Sequence, residues 1–306
     1  MKKIIILKHS RGELANQLWN YVSIYAYGLE SKARVENPSF FEYHSYFKLT
    51  EKESIITKFF SFWFKNHTGR RSSFRNSFWR NVYITYASVI KLFIGKNIIS
   101  SENRNNDVIY LPPTSLFPLQ EHIETGYFIG WLFRNPVGLK KFRTELVFAF
   151  APNKIIEEKV TNIIKPLRKK YIEIIGIHLR QSDYGTFKGG VYFIHQARAR
   201  KIIDEFIIKN SINTDETLFI ITSDGQIEKE TFQNLNIYIS KENAVTDLFL
   251  LSSTNTIIGS DSSFGAFASW YGNIPHIVMT NDPIDWNYYS NKKEYFENKY
   301  SKMVHY

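Results

Sequence analysis

Cysteine is missing from all 306 residues of the sequence. Disulfide bonds and thiolate metal sites are therefore excluded, which fits a reducing compartment. Long apolar runs are missing too, since no segment reaches the roughly 18 residues needed to cross a bilayer. The segment from Met1 to Glu13 has an apolar run too short for a signal peptide, and no small-residue cleavage site follows it. We therefore expect a cytoplasmic protein.

Several ligand-binding motifs are missing as well. The sequence has neither a GxGxxG segment nor a Walker A segment, which disfavours dinucleotide dehydrogenases and kinases. It has no Asp-x-Asp pair and no histidine cluster with the spacing of metal ligands. We therefore expect neither a metal ion nor another cofactor.

Charge is unevenly balanced, with 39 Lys and Arg against 29 Asp and Glu and a net charge of +10. This excess favours an anionic partner, which could be nucleic acid, an anionic membrane or a phosphorylated ligand. The length suits two domains, and an apolar content of 43% can supply each with a core. We place an N-terminal domain at 1–165 and a C-terminal domain at 166–306.

The C-terminal half alternates between apolar β-branched runs and helical patterns. This alternation predicts an α/β domain with a doubly wound parallel sheet. The tail, 284–306, is expected to pack across the interface between the domains. The predicted strands are 172–177, 217–222, 236–239, 256–259 and 275–279, a short helix follows the second, and longer helices cover 192–209, 245–253 and 262–271.

The N-terminal half begins with a predicted strand from Lys2 to Lys8 and, after a turn at Arg11 to Glu13, a helix from Leu14 to Leu29. The free N–H groups at such a helix start can hold an anion. Asn16 lies in the first turn, where its amide could either cap the helix or hydrogen-bond a ligand.

A region rich in aromatic rings and cations, 37–101, interrupts this half as a predicted helical insertion. Such a mixture can stack on single-stranded nucleic acid, sit at an anionic membrane surface, or form the core of an ordinary helical subdomain. We prefer peripheral membrane contact through 59–94 over nucleic acid, because no RNA-binding motif accompanies the rings. The residues concerned are Phe59, Phe60, Phe62, Trp63, Phe64, Arg70, Arg71, Phe74, Arg75, Phe78, Trp79 and Arg80.

Polar residues follow three of the predicted C-terminal strands, at the strand end where ligands bind in open α/β sheets. An arginine guanidinium can bind a phosphate with two hydrogen bonds, and the start of a serine-capped helix also favours a phosphate. A carboxylate can accept hydrogen bonds from ribose or a base. The pattern predicts a nucleotide-diphosphate site without a glycine-rich loop, although a surface ion pair between Arg180 and Asp183 is a plain alternative for that pair. The groups are His178, Arg180 and Asp183; Ser223 and Asp224; and Ser260 to Ser263.

The segment HLRQSDY at 178–184 resembles the H-x-R-R-x-D motif of inverting fucosyltransferases, in particular the bacterial galactoside α-1,2-fucosyltransferases. Three further blocks agree in order, at 12–28, 219–224 and 246–272. The chain departs from the family at Gln181, which replaces the second arginine of the motif, and at Ala15, which replaces a glycine.

This resemblance implies a GT-B-like fold, in which two Rossmann-like domains face a cleft and GDP-fucose binds in the C-terminal one. It implies that Arg180 holds the β-phosphate and that a base accepts the proton of the acceptor hydroxyl. Glu13 and Asp183 are the candidates for that base, although Glu13 could simply cap a helix and Asp183 could simply orient Arg180. The resemblance also implies roles near the nucleotide sugar for His178, Asn16, Ser223, Asp224, Ser262, Ser263 and Phe264.

The expected function is an inverting, metal-independent glycosyltransferase. It would move L-fucose from GDP-fucose to a hydroxyl, O2 of a galactoside, during synthesis of a bacterial surface polysaccharide. A lipid-linked acceptor would place the enzyme at the inner face of the membrane. Two alternatives stay open: a transferase for another nucleotide sugar, and a non-catalytic RNA- or lipid-binding module with a degenerate nucleotide site, which Gln181 favours slightly.

Overall fold

The computed structural model describes residues 2–8, 12–49, 54–63, 74–94, 98–100, 108–111, 124–291 and 298–302, with the side chains of 74–76 left out. Its contacts divide the chain into two compact units, 1–155 and 156–305. The division falls at the start of a helix that also contains the predicted boundary at 165/166. Several sequence predictions concern residues outside the described ranges: Arg11, Phe64, Arg70, Arg71 and most of the tail beyond Asn291.

The described part of the N-terminal unit contains a parallel sheet with the strand order β2-β1-β5-β3. A second, two-stranded parallel pair joins β4 to β6. The predicted first strand and first helix are both present. The elements are β1 (Lys3–Lys8), α1 (Leu14–Glu30), β2 (Arg34–Glu36), α2 (Ile55–Trp63), α3 (Phe74–Ile94), β3 (Ile98–Ser100), β4 (Ile109–Tyr110), β5 (Thr125–Ile129), β6 (Phe133–Arg134), α4 (Pro136–Lys141) and α5 (Arg143–Ala149).

Helix α1 is buried along most of its length, so even its polar side chains need partners inside the protein. Asn20 satisfies this need, because its amide donates to the Gly130 carbonyl at 3.2 Å and accepts from the Phe133 N–H at 3.2 Å. These bonds tie the helix to the loop after β5 and to β6.

Helices α2 and α3 pack on the N-terminal sheet through a limited set of rings. Phe60 and Tyr83 are buried against Leu7, Phe41 and Ile129, and the Tyr83 hydroxyl donates to the Leu7 carbonyl. The helical-subdomain interpretation of the aromatic region therefore holds for these two rings. Other rings of the same helices are exposed and are considered below.

The C-terminal unit contains, in its described residues, a parallel sheet with the order β11-β10-β7-β8-β9. The doubly wound parallel α/β sheet predicted from the sequence is confirmed. The elements are α6 (Lys154–Lys170), β7 (Glu173–Leu179), α7 (Gln196–Lys209), β8 (Thr217–Ser223), β9 (Ile237–Ile239), α8 (Ala244–Ser252), β10 (Thr256–Ser260), α9 (Ser263–Gly272), β11 (His276–Met279) and α10 (Trp286–Asn291).

Strand β7 is the centre of this sheet, and it is buried from Ile174 to Leu179. A continuous β-branched run suits a strand that is covered on both faces. Gly176 allows α8 to approach, since a Cβ atom there would lie 2.8 Å from Leu251 Cδ2.

Two C-terminal elements differ from their predictions. Helix α7 begins at Gln196 rather than Tyr192, with His195 in extended geometry before it, and it follows a turn in which Lys188, Gly189 and Gly190 adopt positive φ angles. The short helix predicted after β8 is a single 3₁₀ turn, Lys229–Phe232.

The described part of the tail lies on its own unit. The Tyr289 hydroxyl accepts from the Val278 N–H at 3.0 Å, and the Asn298 amide donates to the His276 carbonyl at 3.0 Å. No helix within the described ranges is both long and apolar enough to span a membrane.

Candidate functional site

The three polar clusters predicted at strand ends lie side by side in the fold. Strand β7 lies between β10 and β8, with His178 level with Thr222 on one side and with Gly259 on the other. Because all three strands are parallel, their carboxyl ends meet at the same edge of the sheet. The strand order therefore brings together the residues that the sequence separates by up to 85 positions, from His178 to Ser263.

Arg180 is the first residue beyond β7, and two carboxylates hold its guanidinium. Nε and Nη2 donate to the two oxygens of Asp183 at 2.8 and 3.1 Å, and Nε lies 3.0 Å from Asp224 Oδ2. Burial disfavours the charged form, but the hydrogen bond to Asp183 and the charge of Asp224 outweigh it, so the pKa of Arg180 is raised. The side chain is a permanent cation at the end of the central strand.

Asp224 organises the loop after β7, a role that the sequence did not reveal. Its Oδ1 accepts from the backbone N–H groups of Gln181 and Ser182 at 2.6 and 3.2 Å, and its Oδ2 accepts from the Ser182 hydroxyl. Burial alone would raise the pKa of Asp224, but these hydrogen bonds and Arg180 lower it. Both oxygens thus accept hydrogen bonds within the loop, and the contact with ribose or a base stays a prediction.

Tyr184 supports the other side of the guanidinium. Arg180 Cζ lies 5.7 Å from the centroid of the Tyr184 ring, and the Tyr184 hydroxyl donates to the Asp261 carbonyl at 2.9 Å. Asp261 in turn accepts from the Ser301 hydroxyl and the Lys302 N–H, each at 2.7 Å. Asp261 therefore connects the tail residues Ser301 and Lys302 to Tyr184, which lies next to Arg180.

His178 lies beneath this polar layer and is buried. Its Nδ1 lies 3.2 Å from the Thr222 hydroxyl, and its ring stacks on Phe264 at 4.8 Å between centroids. Nε2 has no hydrogen-bond partner among the described residues. Burial, with a smaller contribution from Arg180, lowers the pKa of His178 to about 4, so the imidazole is neutral near pH 7.

Ser262 caps α9 as predicted, because its hydroxyl accepts from the Gly265 N–H at 3.4 Å. The neighbouring Ser260 hydroxyl accepts from the Arg180 N–H at 3.1 Å, which joins the end of β7 to the end of β10. Ser263 and Phe264 form the first turn of α9. The helix start and the arginine thus belong to adjacent strand ends, where the helix dipole and the guanidinium both favour an anion.

Gln181 and Ser223 make hydrogen bonds to backbone groups near the ends of β7 and β8. The Gln181 amide donates to the Ile194 carbonyl at 2.9 Å, and the Ser223 hydroxyl accepts from the Gly225 N–H at 3.1 Å. Gly225 must lack a side chain, since a Cβ atom there would lie 2.6 Å from Gln181 Cβ. Gln181 therefore supplies packing at the position where the resembling motif has its second cation.

The two candidates in the N-terminal unit lie together at the start of α1. Glu13 directly precedes the helix, and its Oε2 accepts from the Tyr43 hydroxyl at 3.4 Å. Gly12 has a φ of +105°, and a Cβ atom there would lie 2.5 Å from Asn16 Cβ. The glycine turn thus lets the chain pass close over Asn16 and present Glu13 next to it.

Within the described ranges, no group of three or more His, Asp and Glu side chains is arranged to hold a metal ion. The positive groups that the site offers to an anion are Arg180 and the start of α9.

No protein-family model matches the chain, and no curated protein matches it in sequence. Solved structures do match, over both units. A mutant of Arabidopsis thaliana FUT1 in complex with GDP is 14% identical, with 92% of this chain and 72% of that chain covered and a TM-score of 0.54. POFUT1 in complex with GDP-fucose is 10% identical, with 92% and 98% covered and a TM-score of 0.55.

The NodZ α-1,6-fucosyltransferase, co-crystallised with GDP, is 14% identical, with 92% of this chain and 96% of that chain covered and a TM-score of 0.52. The chain therefore has the α/β fold with two parallel sheets that these GT-B fucosyltransferase structures share.

Proposed function

We propose that the protein is an inverting glycosyltransferase that binds a GDP-sugar in its C-terminal unit, with GDP-fucose as the donor. The observation that carries this proposal is the position of Arg180, which lies between two carboxylates at the end of the central strand and beside the capped start of α9. The fold supports it, since the solved structures that share this fold include complexes with GDP and GDP-fucose.

Arg180 is suited to the diphosphate because its guanidinium is oriented but not fully occupied. Asp183 binds Nε and Nη2, whereas Nη1 donates to none of the described residues. A fixed cation with free N–H groups can bind a phosphate oxygen without first reorganising. Asp183 and Asp224 would act as positioning residues that hold the guanidinium of Arg180 in place.

The transfer breaks the bond between C1 of the sugar and the diphosphate while the acceptor oxygen bonds to C1 from the opposite face. Negative charge therefore grows on the leaving phosphate. Arg180 and the first N–H groups of α9 would bind that charge more tightly in the transition state than in the substrate, and this difference accelerates the reaction. His178 and Phe264, stacked beneath, would keep this part of the site dry and neutral.

The acceptor hydroxyl loses a proton during this step, and Glu13 is the better of the two candidates to receive it. Asp183 uses both of its oxygens on Arg180, so it would have to give up a charge-assisted pair to act as a base. Glu13 directly precedes α1 at the Gly12 turn, where the Tyr43 hydroxyl donates to its Oε2 at 3.4 Å, and the resembling family supports a base at this turn. Asn16, one turn further into the helix, would position the sugar.

We propose an acceptor of the galactoside class, modified at O2, in a bacterial surface polysaccharide. This finer assignment depends on the resemblance of the segments 12–28 and 178–184 to bacterial α-1,2-fucosyltransferases. Gln181 is a specific reason to test other donors, because its amide is turned to the Ile194 carbonyl and adds no second cation.

The test is Arg180→Ala, assayed for GDP binding by calorimetry and for turnover of GDP-fucose. We expect turnover to fall by about 10²- to 10³-fold, the loss typical of removing one group that stabilises a developing oxyanion. GDP binding should weaken strongly in the same variant, while its circular dichroism spectrum stays unchanged. Arg168→Ala is the matched control, because that exposed arginine bonds only to the Ser253 carbonyl in the described structure.

The assay should include GDP-mannose and UDP-galactose as alternative donors, and it should be repeated with a chelator. Near-normal turnover of Arg180→Ala would overturn the role of this residue. Wild-type protein that binds no nucleotide but binds single-stranded RNA, with a steep loss of affinity in salt, would overturn the enzyme in favour of the binding module.

A further inference from the structure

Helix α2 presents apolar side chains to solvent rather than to the core. Thr57 and Phe60 face the protein, whereas Ile55, Phe59 and Phe62 lie on the opposite side, four and then three positions apart. Phe59 and Phe62 are 50% and 70% exposed. A surface helix normally has the reverse pattern, with its polar face outward.

These rings join others from α3 to form one surface, the aromatic patch, which consists of Phe59, Phe62, Trp63, Phe78 and Trp79. The indole rings of Trp63 and Trp79 stack at 5.4 Å and 21° between the two helices. Phe62 meets Trp63 edge-on at 5.3 Å, and Phe78 meets Trp79 in the same way at 5.4 Å. Contiguous exposed aromatic surface of this kind marks an interaction site.

The charge of the surrounding segment favours an anionic partner. Residues 54–101 contain eight Lys and Arg and no Asp or Glu, which accounts for +8 of the net +10 of the whole chain. Lys58 lies on the exposed side of α2 beside Phe59 and Phe62. Arg80 differs from the rest, because Glu42 neutralises it. An apolar surface within a basic segment is complementary to an anionic phospholipid bilayer, which attracts cations and accepts rings at headgroup depth.

We propose that the aromatic patch docks the protein onto an anionic phospholipid surface. The arrangement of the rings favours lipid over single-stranded nucleic acid, because base recognition needs open ring faces. Here Trp63 and Trp79 stack on each other, which covers one face of each ring, and Phe62 and Phe78 make edge-on contacts with them. The side chains that remain exposed include the rings of Phe59, Phe62 and Phe78 and the aliphatic Ile55, which suits the boundary between headgroups and acyl chains.

The proposal does not depend on the glycosyltransferase assignment, because the patch and the Arg180 site lie in different units. It predicts reversible binding that needs both parts of the surface. The rings supply apolar burial and the cations supply attraction to anionic headgroups, so binding should weaken in high salt and on neutral lipid.

The experiment measures co-sedimentation of the full chain with phosphatidylcholine vesicles, with and without phosphatidylglycerol. The variant is Phe59→Ser/Phe62→Ser, and the matched control is Phe148→Ser/Ile155→Ser, which removes two exposed apolar side chains outside the patch. We expect the patch variant to lose about tenfold or more in partition coefficient for the anionic vesicles, since two rings stay out of the bilayer. The control should bind like the wild type.

Thermal unfolding and sedimentation velocity are recorded for each variant. Unchanged melting with lost partition supports the proposal. Equal partition of the patch variant and the wild type, or no wild-type binding to anionic vesicles, overturns it. Loss of self-association or of oligonucleotide binding in the patch variant, without loss of vesicle binding, would also overturn it and would assign the patch to a second copy of the chain or to nucleic acid.

Discussion

The protein contains two arginine–carboxylate arrangements, one in each unit, and they are built differently. In the N-terminal unit Arg80 forms a bidentate pair with Glu42, and the side chains are only 19% and 4% exposed. In the C-terminal unit Arg180 faces two carboxylates, and the arginine is 26% and Asp183 is 55% exposed. The first arrangement is closed, because both side chains are largely buried, whereas the second is open to solvent.

We propose that this difference separates a structural ion pair from one that can bind a ligand. A buried pair fixes one packing arrangement and does not present its cation to a ligand in solvent. The open arrangement holds a cation in position while Nη1 makes no hydrogen bond to a described residue. An incoming phosphate could therefore bind Arg180 without breaking its bonds to Asp183. Removing each arginine should consequently damage different properties of the protein.

The largest expected effect on stability is that of Arg80→Ala. It leaves the Glu42 carboxylate buried without its bidentate partner, and losses of about 3 kcal/mol are typical of such a break. Urea unfolding measures the free energy. Arg180→Ala should cost much less stability, because its carboxylates remain partly in contact with water.

A double-mutant cycle sharpens this prediction. Arg80→Ala combined with Glu42→Gln removes the unpaired charge, so part of the lost stability should return. If Arg80→Ala cost no more than Arg180→Ala, the distinction between a closed and an open pair would be wrong.

A smaller effect is expected from His178, which lies dry beneath the open arrangement. Burial lowers its pKa to about 4 in the folded protein, against an ordinary value near 6.5. Between these values the unfolded chain binds more protons than the folded one, so stability falls as the pH falls from about 6.5 towards 4. We expect about 2 kcal/mol to be lost between pH 7 and pH 5 on account of this group.

The measurement compares urea unfolding of the wild type and His178→Gln at both pH values. The comparison is needed because Asp247 also titrates in this pH range. Burial raises the pKa of Asp247 to about 7, so its protonation raises stability as the pH falls, opposite to the effect of His178. The difference between the two proteins cancels Asp247 and isolates His178. If the stability of the two proteins changed equally with pH, the His178 imidazole would titrate as in the unfolded chain. His178 would then be in contact with water rather than buried beneath Arg180.

The contrast between the two arginines marks the limit of what the sequence predicts. The strand before Arg180 and the cap at Ser262 could be inferred, because burial on both faces and helix capping leave local patterns. The contact of Arg180 with Asp224 could not, because it depends on β8 lying next to β7 in the sheet. Nor could the pair of Glu42 and Arg80, which joins a loop to a helix 38 positions away.

The aromatic region shows the same limit. Its composition predicted helices and several possible partners for the rings, but composition does not decide which ring is core. Phe59 and Phe60 are neighbours in sequence, yet one is exposed and the other buried, because consecutive residues of a helix point about 100° apart. Only the packing of α2 on Phe41 and Tyr83 determines which of them faces inward.

The smallest expected effect separates helix capping from anion binding at the open site. Ser262→Ala should cost about 1 kcal/mol of stability, the usual loss for a serine cap, and Asn243→Ala should cost about as much, because Asn243 caps α8 by accepting from the Thr246 N–H. The two variants are therefore matched in stability but not in position. Of these two helices, α9 is the one that starts beside Arg180, so Ser262→Ala but not Asn243→Ala should weaken GDP binding, by about threefold to tenfold in calorimetry. Equal GDP affinity in the two variants would mean that the start of α9 does not face the phosphates, and that Arg180 alone supplies the positive charge of the site.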